Sequence, residues 1–264
     1  MFRSILKVGL TLLVFGAIIG YMGYRWIFES NTDITDDYEL YIPSQTTFDE
    51  LQKQLLADSI LINPWAFEQV SKLMKYGPEQ IPAGKYIIKP GWSNKEIIST
   101  LRIGRQTPVK VTISTGRTIE DIISVVSKQI EPDSTTLSAL FNDTAYIAGY
   151  GFTPETVIGM IIPDTYELYW NVDAEGFFSK MKTEYDKYWS FGERPVSLTV
   201  LEMSRNEVST MASIIQKESN DNHERAMIAG VYLNRIAQGI KLQADPTVVL
   251  AWETSPYGEY FIST

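Results

Sequence analysis

Glu218 is a carboxylate set in a helical face that is otherwise apolar, and carboxylates in such places are candidates for proton transfer. The spacing predicts a helix from Ser204 to about Ser219. Ser204 followed by Glu207 forms an S-x-x-E capping box, and neither Pro nor Gly interrupts the segment. At ~100° per residue, Val208, Met211, Ala212, Ile214 and Ile215 share one arc, while Ser209, Thr210, Ser213, Gln216 and Lys217 fill the other. Glu218 falls near the centre of the apolar arc. Partial desolvation, together with a place in the last turn where the carbonyl end disfavours negative charge, is expected to raise its pKa. A general acid working near neutral pH needs that shift. The competing structural reading is that Glu218 marks the point where the helix leaves the core.

The elements around Glu218 supply further polar groups. Asp221 with Glu224 predicts a second capping box, and Met227, Ile228, Val231, Tyr232 and Ile236 carry a helix to Gly239, a natural C′ glycine. Asp245-Pro246 predicts an N-cap and first-turn proline for a third helix starting at Thr247. Asn234, Gln243, Asp245 and Thr247 are the polar candidates near Glu218. Upstream, Ile158 to Glu167 is too apolar and aromatic for an idle loop, and Pro163 stops a helix from running through it, so this stretch is expected to line something. From Ala174 to Trp189, the spacing of Phe177, Phe178, Met181, Tyr185, Tyr188 and Trp189 predicts a core helix in place of a sugar cleft.

Composition narrows the chemistry. The chain has 264 residues, 44% of them hydrophobic, enough to bury a sizeable core in one large or two modest domains. A net charge of -9 argues against nucleic acid or anionic lipid as the main partner. With no Cys there is no thiol nucleophile, thiolate metal site or disulfide, and the single histidine, His223, excludes a multi-histidine metal cluster. His223 lies in a polar stretch and is expected to be a solvated loop residue. No metal and no cofactor is expected.

The N-terminus differs in kind. From Val8 to Tyr24 no residue is charged, a run just long enough to span a bilayer, with Tyr24 and Trp26 as interfacial aromatics. Arg3 and Lys7 precede it, and Glu29, Asp33, Asp36 and Asp37 follow the lone Arg25. This asymmetry predicts an uncleaved single-pass anchor in a cell (inner) membrane, with the N-terminus cytoplasmic and the rest outside. Residues 1–28 are therefore read as cytoplasmic terminus and anchor, and 29–37 as an acidic linker.

A weak repeat follows. Tyr41-Ile42-Pro43 leads to Thr47 and Glu50, Tyr86 to Gly91 leads to Ser93 and Glu96, and Val111-Thr112-Ile113 leads to Thr118 and Asp121. Each copy reads as strand, turn and N-capped helix, with helices expected at about 47–57, 64–75, 93–102 and 118–130. Around Gly84 to Ser93 the sequence resembles a LysM-type module, a small fold associated with N-acetylglucosamine polymers. Residues 38–108 are read as that α+β module and 109–264 as a mainly helical domain with short strands. The fold class expected for the whole chain is α+β.

Three linked strings carry a wider resemblance: Ala212 to Ser219, Glu224 to Arg235, and Leu242-Gln243-Ala244-Asp245-Pro246-Thr247-Val248. With Pro163-Asp164-Thr165-Tyr166 they resemble the YceG-like family of endolytic murein transglycosylases, also called MltG, over nearly the whole chain. The resemblance implies a lyase that cleaves the β-1,4 bond after N-acetylmuramic acid in nascent peptidoglycan strands, leaving 1,6-anhydro ends. It makes Glu218 the catalytic glutamate, general acid and then base, and implies substrate contacts from Asp164, Thr165, Tyr166, Asn234, Gln243, Asp245 and Thr247. The implied partners are glycan strands, the membrane and cell-wall synthases. A hydrolase would need a second carboxylate roughly 5 to 9.5 Å away, for which Asp221, Glu224 and Asp245 are the candidates. Two positions depart from the family pattern, Ile158 and Gln216, each where an acidic residue is usual. The pattern fades over Ala251 to Gly258, so the catalytic domain is expected to be incomplete and the chain a fragment. A non-catalytic peptidoglycan-binding or synthesis-complex scaffold is the alternative function.

Overall fold

Three of the predicted helix starts are held by the reciprocal cap the sequence spells out. The Thr47, Ser93 and Thr118 hydroxyls each accept from the backbone N–H three residues on, and Glu50, Glu96 and Asp121 each accept from the cap's own N–H. The computed structural model describes residues 2–77, 81–245 and 247. The chain divides into two compact units, one of 1–140 with 163–177, the other of 141–162 with the described residues from 178 onward. Its class is α+β, mostly helical, with a few short strands and an apolar N-terminal helix.

In the first unit, helix α1 (Phe2–Phe28) precedes β1 (Tyr38–Ile42), α2 (Phe48–Ala57), α3 (Pro64–Leu73), β2 (Gly84–Ile88), α4 (Asn94–Ile103), β3 (Val109–Ile113), α5 (Ile119–Val126) and most of α6 (Ser134–Phe141). Strands β1 and β2 pair antiparallel, with Tyr38 opposite Ile88 and Ile42 opposite Gly84. Their alternate residues Leu40, Ile42, Tyr86 and Ile88 are buried with Leu51, Leu55, Phe67, Ile97 and Leu101 from the helices. The chain leaves this unit after residue 140 and returns as β4 (Asp164–Leu168), which pairs antiparallel with β3, Val109 opposite Leu168.

The segment 29–37, expected as an aperiodic acidic linker, is aperiodic but stitched into the unit. Ser30 bridges Ser93 and Thr32 bridges Leu61. Asn31 N–H donates to Trp92 O at 2.8 Å and Asn31 O accepts from Ile62 N–H at 3.0 Å. The Asn31 side chain, 4% exposed, donates to Asn94 Oδ1 at 2.7 Å and Asn63 O at 3.1 Å, and accepts from Asn63 N–H at 2.7 Å. Asn94 in turn donates to Trp26 O at 2.8 Å, and Trp26 meets Trp65 edge to face with ring centres 4.7 Å apart. The end of α1 is thereby joined to the module by satisfied buried amides.

In the second unit a 3₁₀ turn (Val157–Met160) follows α7 (Thr144–Ala148), and α8 (Ala174–Ser190), which starts in the first unit, leads to α9 (Arg194–Leu201), α10 (Arg205–Glu218) and α11 (Asn222–Ala237). The predicted core helix is α8. Phe177, Phe178, Met181, Tyr185 and Trp189 are buried along it, whereas Tyr188 is exposed and lies under the Arg194 guanidinium, 3.8 Å from the ring centre. Asp186 of α8 takes Arg205 Nη1 at 2.9 Å, which ties the start of α10 to α8. No residue of α9 is buried.

Removing the Asn31 side chain strands Asn94 Oδ1 in a buried setting and leaves the Asn63 N–H without its acceptor. Asn31→Ala is expected to cost about 2 to 4 kcal/mol, against about 1 kcal/mol for Ser93→Ala, which removes a cap. Urea unfolding of the detergent-solubilised chain measures both, and equal losses would contradict the assignment.

Candidate active site

Glu218 is the last residue of α10, whose N-cap Ser204 forms the predicted box with Glu207. One and two turns back along the same stripe, Ile215 and Met211 are buried and pack with Tyr232 and Ala244. Burying such side chains stabilises by roughly 1.5 to 3 kcal/mol each, so a small cluster suffices to seat α10 against α11 and the chain after it. Val208 and Ile214 are half-buried and Ala212 is exposed, so the apolar arc is narrower than the periodicity suggests. Gly159 of the 3₁₀ turn comes close to Ser209, with ordinary van der Waals space for a Cβ.

Glu218 itself is exposed, so the desolvation half of the expectation is corrected. The cluster ends one turn short of it, because its buried members stop at Ile215. The stripe nevertheless brings the carboxylate to Tyr232. Tyr232 Oη donates to Glu218 Oε1 at 2.6 Å, and Tyr232 is only 7% exposed. Among the described residues no hydrogen bond reaches Oε2, which leaves that oxygen able to give and take a proton.

The phenol reports the local field. Burial, then the hydrogen bond and charge of Glu218, push the Tyr232 pKa up to about 12. The Asp245 charge adds to the rise and Arg235 opposes it. Glu218, Arg235 and Asp245 thus all act on Tyr232. Arg235 also donates to Leu242 O, folding the segment after α11 back on the helix. Gly239 (φ +67°) closes α11 as the expected C′ residue. Gln243, exposed, adopts φ +52° without being glycine, a strained conformation costing about 1 to 2 kcal/mol.

The other expected residues distribute as follows. Asn234, Gln243, Asp245 and Thr247 are all exposed on α11 or just after it, and the Thr247 hydroxyl donates to Ala244 O at 2.7 Å. Asp245 and Thr247 are helical, but Pro246, Val248 and Ala251 to Gly258, on which the third helix and the fading pattern were read, lie outside the described residues. Asp164, Thr165 and Tyr166 belong to β4 in the first unit. Asp164 and Thr165 are exposed, while Tyr166 is 6% exposed and opposite Val111 in the sheet.

The Asp221–Glu224 box is also corrected. Asp221 caps α11 through the His223 N–H at 2.8 Å, and Glu224 turns back to accept from the Ser219 hydroxyl at 2.7 Å. The Ser219 hydroxyl also accepts from Asp221 N–H, and this bridge draws Glu224 away from the cap. His223 is exposed in the first turn of α11. Among the described residues no cluster of three acidic or histidine side chains is placed to hold a metal ion. Tyr232 and Arg235 were not anticipated as site residues. The available signal was a phenol among aliphatic core positions, since a buried hydroxyl must find a partner.

The YceG-like family model matches residues 40–260. The chain belongs to the YceG-like family. Among its relatives, the endolytic murein transglycosylase of Streptococcus pneumoniae (strain ATCC BAA-255 / R6) is 25% identical over 276 residues, covering 92% of this chain and 49% of that protein. The endolytic murein transglycosylase of Bacillus subtilis (strain 168) is 25% identical over 231 residues, 80% of this chain and 62% of that one. The chain spans about half the length of the streptococcal relative and under two thirds of the Bacillus one. A yceG-like protein of known structure from Listeria monocytogenes is 24% identical at a TM-score of 0.47, covering 86% of this chain and 83% of that one.

In this YceG-like chain the folded Tyr232 holds its proton to about pH 12, above the unfolded value of about 10. The stability it contributes is therefore complete below about pH 10 and lost as pH rises towards 12. Denaturant unfolding between about pH 10 and 12 should show wild type losing stability faster than Tyr232→Phe, and parallel slopes would contradict the coupling.

Proposed function

We propose that this YceG-like protein is a membrane-anchored endolytic lytic transglycosylase of peptidoglycan, with Glu218 as its single acid and base. The observation that carries the reading is the exposed carboxylate held through one oxygen by a buried phenol, within a family whose relatives bear the transglycosylase name.

The reaction uses that geometry in two steps. Glu218 protonates the glycosidic oxygen as the bond from C1 of N-acetylmuramic acid breaks. The resulting carboxylate then takes the proton of the sugar's own C6 hydroxyl as its oxygen bonds to C1. A 1,6-anhydro end and a free hydroxyl result, no water is consumed, and Glu218 returns to its starting protonation state. One carboxylate suffices. Asp221 and Glu224 are engaged as cap and Ser219 acceptor, which disfavours a hydrolytic pair using either.

The exposed Asn234, Gln243, Asp245 and Thr247 of the second unit suit hydrogen bonds to sugar, while Asp164 and Thr165, exposed on β4 of the first unit, are proposed as sugar contacts on the family resemblance alone. Tyr166, buried, serves by shaping β4. The LysM-like reading of 38–108 is supported by the β1–α2–α3–β2 order around its own core, and residues 109–264 are read as the catalytic part.

Gly9–Phe28 is a 20-residue apolar helical stretch with none of its most hydrophobic window buried. At about 1.5 Å per residue it matches a bilayer core of about 30 Å. The basic residues before it and acidic ones after it favour a cytoplasmic N-terminus. In this reading the chain after α1, Glu218 included, lies outside the membrane, where nascent strands and cell-wall synthases are found.

Digestion of purified peptidoglycan tests the reading. Glu218→Gln should lower strand cleavage by about a thousandfold or more, and Tyr232→Phe by about ten- to a hundredfold through lost orientation. Indistinguishable cellular effects of wild type and Glu218→Gln would contradict it and favour the scaffold.

A further inference from the structure

The first unit holds a basic, aromatic groove that the chemistry at Glu218 does not use. Its volume is about 630 Å³, with Tyr41 and Lys85 from β1 and β2 on one wall and Lys110, Lys128, Gln129 and Trp170 on the other. The walls are pinned together. Tyr41 and Trp170 meet edge to face with ring centres 5.2 Å apart. Beside them, Ser44 N–H and hydroxyl both donate to Glu131, at 2.5 and 2.7 Å, and Glu131 N–H donates to Trp170 O at 2.8 Å. A groove braced in this way is already formed before any ligand arrives, which lowers the ordering cost of binding.

Its polar groups are not equivalent. The Gln129 amide is fully used, accepting from Thr112 N–H and donating to Thr112 O and Val125 O. Lys85 is neutralised by Glu39 at 2.6 Å, a contact that holds the Glu39 carboxyl below its ordinary range. Lys110 and Lys128 remain. Both are exposed, and among the described residues neither makes an ion pair or hydrogen bond, although Lys110 stands opposite Glu167 in the β3–β4 register. In a chain of net charge -9, two ammonium groups outside any ion pair beside a half-buried aromatic pair favour an anionic ligand over a neutral one. The half-buried rings offer apolar surface to the C–H face of a pyranose, and ammonium groups make charge-assisted bonds to carboxylates.

We infer that this groove binds a carboxylate-bearing stretch of glycan, with a sugar ring against Tyr41 and Trp170 and its acid groups on Lys110 and Lys128. It is a binding site sharing no residue with the set around Glu218. The inference rests on the proposed function for the identity of the glycan: peptidoglycan carries carboxylates on its stem peptides, and on the lactyl group of any acidic sugar that has lost its peptide, whereas a plain N-acetylglucosamine polymer carries none.

The test uses the full chain carrying Glu218→Gln, so that ligand survives, with two probes: soluble uncrosslinked peptidoglycan strands and neutral chitohexaose. Calorimetry at low salt should show the strands binding more tightly than chitohexaose. Adding Lys110→Gln and Lys128→Gln should weaken the strands about tenfold, leave chitohexaose unchanged and flatten the salt dependence. Trp170→Phe should weaken both probes. Unchanged strand binding in the double-lysine variant overturns the inference, as does equal loss of both probes, or a parent that prefers the neutral sugar. If the chain with Glu218 intact cleaves nothing while the lysine-dependent preference persists, the lytic reading falls and the groove stands.

Discussion

The arrangement at Glu218 depends on one hydrogen bond, from a buried phenol to an exposed carboxylate. A glutamate at the end of a helix has three free side-chain torsions and water on most sides, and it positions nothing by itself. Tyr232 removes that freedom because its ring is locked among Met211, Ile215 and Ala244 while its hydroxyl reaches Oε1. The surrounding features serve this contact. Asp221 starts α11 three residues after Glu218, and Gly239 and Arg235 turn the following chain back so that Ala244 closes the cluster. The carboxylate itself stays exposed, which fits the proposed action on a polymer, since a group sealed in a core could not reach one.

The first unit solves a different problem with repeated means. Three strand-to-helix transitions are each secured by a reciprocal cap, so the helices start at fixed residues without help from distant packing. Asn31 performs the corresponding task between the apolar helix and the module. Its amide satisfies Asn63 and Asn94, and Asn94 reaches Trp26. Partial satisfaction would be costly in so buried a place, so such a network specifies one joint and excludes neighbours in register.

Much of this was legible in the sequence because it is local. The capping boxes at Thr47, Ser93, Thr118 and Ser204, the core face of α8 and the glycine after α11 each follow from spacing within a few residues. Glu218 was legible as an anomaly on a stripe, and the family strings gave it a role. What spacing could not give was long-range. The Tyr232–Glu218 contact joins residues 14 apart through two helices and a turn, and the pairing of β4 with β3 spans more than 50 positions. The exposure of Glu218 depends on how far a cluster of four buried residues extends, which no helical wheel reports. The Asp221–Glu224 box failed for a related reason: Ser219, outside the motif, offered Glu224 a better partner.

The central claim is that one carboxylate acts through an internal sugar nucleophile. It is tested most directly by digesting peptidoglycan in heavy-oxygen water and weighing the new strand ends. A single acid and base acting on the C6 hydroxyl predicts 1,6-anhydro ends that contain no solvent oxygen. Reducing ends carrying the heavy isotope would show that water is the nucleophile and would contradict the account.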